Sequence, residues 1–309
     1  MDTPLQLWVS ETYAESVRLG LKAGRLLYHA VSPFQTIDII ETAYFGRMLL
    51  LDGLVMTSER DEFVYHEMIA HPAMLCCPVP RRVLIIGGGD GGSAREVLRH
   101  PGVEEVVLCE IDGAVVDACR EFLPSIAGQL GDPRVRIEIR DGIAYMADCA
   151  QAGGNRFDVI LIDSTDPMGP GEGLFTESFY RNARQCLTPG GVMANQTESP
   201  VAHAREQGLI YDLLRRTFAQ VSPYWAVIPT YPGAMWTWAI CSGDENAPTP
   251  RERLTAAISS DPAIAARLTS LEPALRYLNG ELLPAAFALP TFARQRMAGE
   301  PTPWAPGLT

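Results

Sequence analysis

The chain has 309 residues, 47% of them apolar and 20% charged, enough to bury a sizeable core as one large domain with an appendage or two. Its net charge of −12, with no clustered Lys and Arg, argues against a nucleic-acid partner; it favours a cationic ligand only beside other signals, because acidity alone also serves solubility. No apolar run approaches the roughly 20 residues that cross a bilayer, and no leader pattern follows Met1, so a cytoplasmic protein without membrane attachment is expected.

From Arg25 to Ser58 the runs RLLYHA, QTIDIIET, RMLLL and LVMTS read as strands, the last two joined by the tight-turn pair Asp52-Gly53. They predict a small antiparallel β-domain over residues 1–65. From Arg82 apolar β-type runs alternate with helical patterns: RVLIIGGG, SAREVLRH, EEVVLCEID, AVVDACREFL, RVRIEIRDG, FDVILIDST and GGVMANQ. The alternation predicts an α/β unit over residues 66–245, a doubly wound parallel sheet with ligands beyond the carboxyl ends of its strands. The runs YWAVIPT and MWTWAICS would add an antiparallel hairpin at one edge. Residues 246–309 read as a Pro- and Ala-rich helical segment ending in a surface tail, PTPWAPGLT. The seven cysteines form no C-x-x-C pair and no His and Cys group has ligand spacing, so neither a metal nor a disulfide framework is expected.

Three motifs carry chemistry. Gly87-Gly88-Gly89-Asp90-Gly91-Gly92 follows a strand and precedes a helix, a turn that aims free N–H groups at a ligand but is shared by many nucleotide binders. Glu110, 19 residues past Gly91 at the next strand tip, stands where an acid can hold both hydroxyls of a ribose. Asp90 within the loop would repel a pyrophosphate, which points to a nucleoside bearing positive charge and away from NAD. Asp141-Gly142, at a third strand tip, suits an adenine amino group; taken alone it reads as an ordinary turn. The stretch FDVILIDSTDPMGPGEGLF, residues 157 to 175, delivers Asp163 at a strand end and Asp166 three residues later, followed by a Pro and Gly loop that is a candidate lid. Two carboxylates so placed raise one another's pKa and call for a cationic or proton-donating partner.

GGGDGG, CEID, DSTDPMGPGEGLF, SERDEFVYHEM, IPTYPGAMWTWAICS and AAFALPTFARQ together resemble the spermidine synthase family, from about Trp8 to Arg294. The resemblance implies a small N-terminal β-domain followed by a methyltransferase-like Rossmann domain. It also implies aminopropyl transfer from decarboxylated S-adenosylmethionine to putrescine or a similar polyamine, giving spermidine and methylthioadenosine. Carried over position by position, Gln35, Glu110, Asp141, Gly142 and Pro170 would contact the thioadenosine, Asp90 would hold the donor's ammonium, and Asp163 would accept the proton. Tyr65, His66, Asp166, Gln196 and Tyr231 would line the amine channel; the other histidines, His29, His71, His100 and His203, read as structural. No cofactor beyond the donor and no metal is implied, and a homodimer or homotetramer is. Leu283 and Pro284 stand where the family commonly shows a histidine and a basic residue, a departure that bears on tail packing or subunit contacts. Two other readings stay open at this level, a methyltransferase on the same fold and a sensor that has lost turnover.

Overall fold

The computed structural model of the chain describes residues 7–13, 17–153, 156–167, 169–300 and 302, with the backbone alone at Pro170 and residues 257–260. Strands β1 (Leu7–Tyr13), β2 (Val17–Val31), β3 (Thr36–Thr42), β4 (Gly46–Leu51) and β5 (Leu54–Ser58) form an antiparallel sheet in sequential order. The β4–β5 turn is Asp52-Gly53 with φ of 50° and 81°, the left-handed geometry that this tight connection demands. Strand β1 and the first half of β2 go beyond the expected strands. Their side chains are mostly exposed or half-buried on both faces, so no clean apolar period marks them in the sequence.

The second sheet holds β6 (Arg82–Gly87), β7 (Glu105–Glu110), β8 (Val135–Ile139), β9 (Phe157–Asp163), β10 (Leu187–Gln196), β11 (Gln220–Val227) and β12 (Met235–Ser242). Its order is β11-β12-β10-β9-β6-β7-β8. Strands β6 to β10 run parallel, and β11 and β12 form the antiparallel hairpin at one edge. The parallel strands are apolar throughout because both faces are covered: Val83 and Ile85 enter one core cluster, Leu84 and Ile86 the other. Chain order reverses at β6, whose neighbours are β7 and β9, and a crevice opens there at the carboxyl ends.

Helix α1 (Glu62–Cys76) joins the two sheets, and every residue of it except Phe63 is buried. Being apolar on all sides, it is a core helix rather than a surface one, and each polar side chain it carries inside has a partner. Glu67 accepts backbone N–H groups of Arg276, Tyr277 and Leu278 at 2.7, 3.0 and 2.8 Å. His71 bridges His100 and Glu96. Leu283 is fully buried in the larger core, so at that position the departure from the family pattern serves packing. The expected tail, residues 301–309, lies outside the described residues apart from Thr302, which is buried. Among the described residues no helix is long and apolar enough to cross a membrane.

Replacing Glu67 with Ala would leave three N–H groups, that of Leu278 buried, without their acceptor, and each hydrogen bond to a charged group contributes about 1.5 to 3 kcal/mol. The variant is expected to lose about 3 kcal/mol or more in chemical denaturation and to become open to proteolysis near residues 272–279, while a surface control such as Glu104→Ala does neither.

Candidate active site

The glycine loop between β6 and helix α2 (Gly92–Leu98) is tied to the end of β9. Gly87 and Gly88 take φ of 81° and 67°, and the Gly88 N–H donates to the Asp163 carbonyl at 2.8 Å. A Cβ on Gly87 would lie 2.2 Å from that same oxygen, so no side chain fits there. This contact carries Asp90 up to Asp163 at the mouth of the crevice.

Behind the two carboxylates runs a buried chain of alternating charge. His66 Nε2 lies 3.3 Å from Asp90 Oδ2, His66 Nδ1 is 2.6 Å from Glu62 Oε2, and Arg95 Nη2 donates to that same Glu62 oxygen at 2.7 Å. Burial alone would strip the His66 proton, but Asp90 and Glu62 on its two nitrogens outweigh burial and hold its pKa well above the ordinary value. Burial likewise opposes the charge on Asp90, and His66 with the Gly92 N–H wins, drawing its pKa down. Asp163 goes the other way. Its burial and the neighbouring Asp90 raise it, against His66, the Ser93 hydroxyl donating to Oδ2 at 2.6 Å, and Tyr65.

On the other side of the crevice Glu110 is buried, and this pushes its carboxyl up to about 7 although backbone N–H groups, that of Asp112 among them, oppose the shift. Asp112 Oδ2 accepts from Ser32 Oγ at 2.6 Å and from Gln35 Nε2 at 3.1 Å, which brings the first sheet's Gln35 to the cavity wall. Asp141 caps the helix Gly142–Ala152 by accepting from the Ile143 N–H, and a Cβ at Gly142 would meet Ile86 at 2.7 Å. One cavity is thus lined by Gln35, Tyr65, His66, Asp90, Glu110, Asp141, Gly142, Asp163 and Tyr231. The Pro170 side chain lies outside the described residues.

Asp166 and Gln196 do not line that cavity. They belong to a second cluster beyond Ser164, with Glu198 and His203: Gln196 Nε2 donates to Glu198 Oε1 at 3.0 Å, and His203 Nδ1 is 3.1 Å from Glu198 Oε2. Partial burial and Glu198 push the Asp166 carboxyl well above its ordinary value. Glu11 of β1, raised by burial, is close enough to feel His203. One donor atom from each of Asp166, Glu198 and His203 falls within 4.8 Å of the others. Burial again disfavours the His203 proton, yet Glu198, Asp166 and Glu206 raise its pKa to about 9. His203, expected to be structural, lies in this cluster beside Glu198 and Asp166. An aromatic row links the two clusters, Tyr65 to Tyr231 at 5.9 Å, Tyr231 to Trp236 at 4.7 Å and Trp236 to His203 at 6.2 Å between ring centres.

Glu198 had a signal, since it follows the carboxyl end of β10. Ser93, Glu62 and Glu11 had none: a serine in a helix, a glutamate at a helix start and a glutamate in a strand are each ordinary until the fold brings them inward.

Residues 62–250 match the family model of the spermine/spermidine synthase domain, and residues 7–59 that of the spermidine synthase tetramerisation domain. The polyamine aminopropyltransferase of Thermoanaerobacter sp. (strain X514) is 42% identical over 290 residues, 94% of this chain and 98% of its own. That of Alkaliphilus metalliredigens is 40% identical over 295 residues, 95% and 98% respectively. Among solved structures, a spermidine synthase in complex with the transition-state analogue AdoDATO superposes with a TM-score of 0.82 at 38% identity, covering 94% of this chain and 95% of that one. Spermidine synthase from Thermotoga maritima gives 0.80 at 36%, covering 94% of both chains.

If Glu110 must be ionised to accept two ribose hydroxyls, a folded-state pKa of about 7 makes nucleoside binding cost a deprotonation below that pH. Methylthioadenosine affinity, followed by titration calorimetry, is expected to be level above about pH 7.5 and to fall by up to tenfold per unit below about pH 6.5. Glu110→Gln should bind weakly and lose that slope.

Proposed function

The chain belongs to the spermine/spermidine synthase family, and on that premise we propose that it is a polyamine aminopropyltransferase whose site residues act as follows. Decarboxylated S-adenosylmethionine lies in the cavity with its ribose on Glu110, its adenine by Asp141 and Gly142, and its ammonium against Asp90. The acceptor amine, putrescine by resemblance, enters past Tyr65 and Tyr231. Its nitrogen lone pair forms the new N–C bond to the methylene next to sulfur while the C–S bond breaks and its pair returns to sulfur as methylthioadenosine. The amine's spare proton passes to Asp163.

The observation that carries this reading is the pair Asp90 and Asp163, held at adjacent strand tips with opposite pKa shifts. An alkyl ammonium has an ordinary pKa of about 10.4, so almost none is free to attack at neutral pH. A carboxylate raised by burial narrows that gap and makes a competent base. Asp90, kept ionised by His66, offers a fixed negative charge to the donor's ammonium. The carboxylate of intact S-adenosylmethionine would meet it at a cost of several kcal/mol, which disfavours methyl transfer.

No cofactor or metal is part of this proposal. The second cluster would receive the acceptor's far ammonium, and its acidic groups would also meet cadaverine, agmatine or spermidine. Self-association through the first sheet belongs to the same reading, supported by the match to a tetramerisation domain and by Leu7, Trp8, Val17 and Leu26 exposed on β1 and β2. A cytoplasmic setting is supported by seven free cysteines.

Incubation with putrescine and decarboxylated donor should release methylthioadenosine, and Asp163→Asn should cut kcat by about 10²-fold or more with methylthioadenosine affinity little changed. Near-normal turnover in that variant would remove Asp163 from its role. Asp90→Asn should weaken the decarboxylated donor by roughly 1.5 to 3 kcal/mol while methylthioadenosine, which has no ammonium, binds as before; equal loss for both would make Asp90 a turn residue.

A further inference from the structure

Glu198 and His203 form a contact that aminopropyl transfer to an amine does not by itself require. Glu198 is fully buried at a φ of 66°, a left-handed conformation that strains a non-glycine residue and persists only when the surroundings enforce it. His203 Nδ1 faces Glu198 Oε2 at 3.1 Å, yet neither atom has a hydrogen-bonding partner of good geometry. Both are therefore buried polar atoms held near one another by charge, with hydrogen-bonding capacity left over. Three further acidic groups act on His203, Asp166 from the loop after β9, Glu206 from the helix Ala204–Thr217, and Glu11 across from β1, while the Arg296 guanidinium donates to the carbonyl of the next residue, Ala204. His203 is the basic residue of the far cluster, and its ring packs edge-on against Trp236 on the path from the reacting centre.

We propose, resting on the transferase reading above, that His203 is a specificity-determining residue. Paired with Glu198 it withholds one carboxylate of the far cluster, and so sets how strongly the site prefers an acceptor with an ammonium at its far end over one of equal length ending in methyl. A unit positive charge about 4 Å from the carboxylates lowers the attraction felt by a second cation in their midst. Without it the acidic groups would hold the tail harder, and the product keeps that tail and must leave with it.

The test uses the full chain, decarboxylated S-adenosylmethionine, and two acceptors, butane-1,4-diamine and pentylamine, at about pH 7.5 where their amines are protonated alike. The quantity read is the ratio of kcat/KM for the diamine to that for the monoamine, which cancels any loss common to both. His203→Gln is expected to raise this ratio about tenfold or more, and His203→Lys, which keeps the charge, to leave it within about threefold of wild type. A ratio unmoved by Gln, or raised as much by Lys as by Gln, overturns the proposal. Should the glutamine variant fail to fold, His203→Asn carries the same comparison. If the wild-type chain releases no methylthioadenosine with either amine, the transferase reading fails; if it does and the ratios stay put, only the role of His203 fails.

Discussion

Two carboxylates stand at adjacent strand tips, and burial and mutual repulsion both work against them. The arrangement is tenable because a line of charge runs back from Asp90 through His66 and Glu62 to Arg95, each link within hydrogen-bonding or ion-pair reach of the next. A buried charge with no partner would shift its pKa and neutralise; one with partners on both sides keeps its charge and its position. The unequal treatment of the pair follows. Asp90 receives the imidazolium and a backbone N–H and stays ionised, whereas Asp163 receives a serine hydroxyl and a tyrosine and is left with the raised pKa. Two residues of one type acquire different chemistry from what lies behind them.

Helix α1 is where this depends on the fold as a whole. It supplies Glu62, Tyr65 and His66 to the site, and it is enclosed by β9, β10, β11 and β12, with α2 alongside. A Cβ at Gly92 would strike the His66 ring at 2.2 Å, so the glycine that opens α2 is also what lets α1 approach. Rigidity at the site is a property of the packed core, not of the loops alone.

Much of this was legible in the sequence because strong local rules agreed with one another. Continuous apolar runs ending in Gly87, Glu110 and Asp163 placed the parallel strands, and the rule that ligands sit beyond carboxyl ends located the crevice. Nine of the named residues do meet around one cavity. What was hidden is what depends on tertiary approach. Strand β1 has no apolar period, so neither it nor Glu11 was visible. His203, alone at the start of a polar helix, has no local feature that sets it apart from a surface histidine, and only the return of β10 beside β12 brings Glu198 to it. Asp166 and Gln196 were named with Tyr65, His66 and Tyr231, but they lie in the cluster with Glu198 and His203 beside the main cavity and not on its wall.

The grip of Glu67 on the N–H groups of Arg276, Tyr277 and Leu278 spans more than two hundred positions of chain, with sequence separations of 209, 210 and 211. During synthesis, therefore, α1 is made early but its Glu67 waits for these donors until residues 276–278 have left the ribosome. Until then a buried-to-be glutamate, and the helix bearing Tyr65 and His66, lack their final anchorage. A nascent chain stopped before residue 276 lacks all three donors, so the helix that brings Tyr65 and His66 to the cavity would hold its buried Glu67 without them.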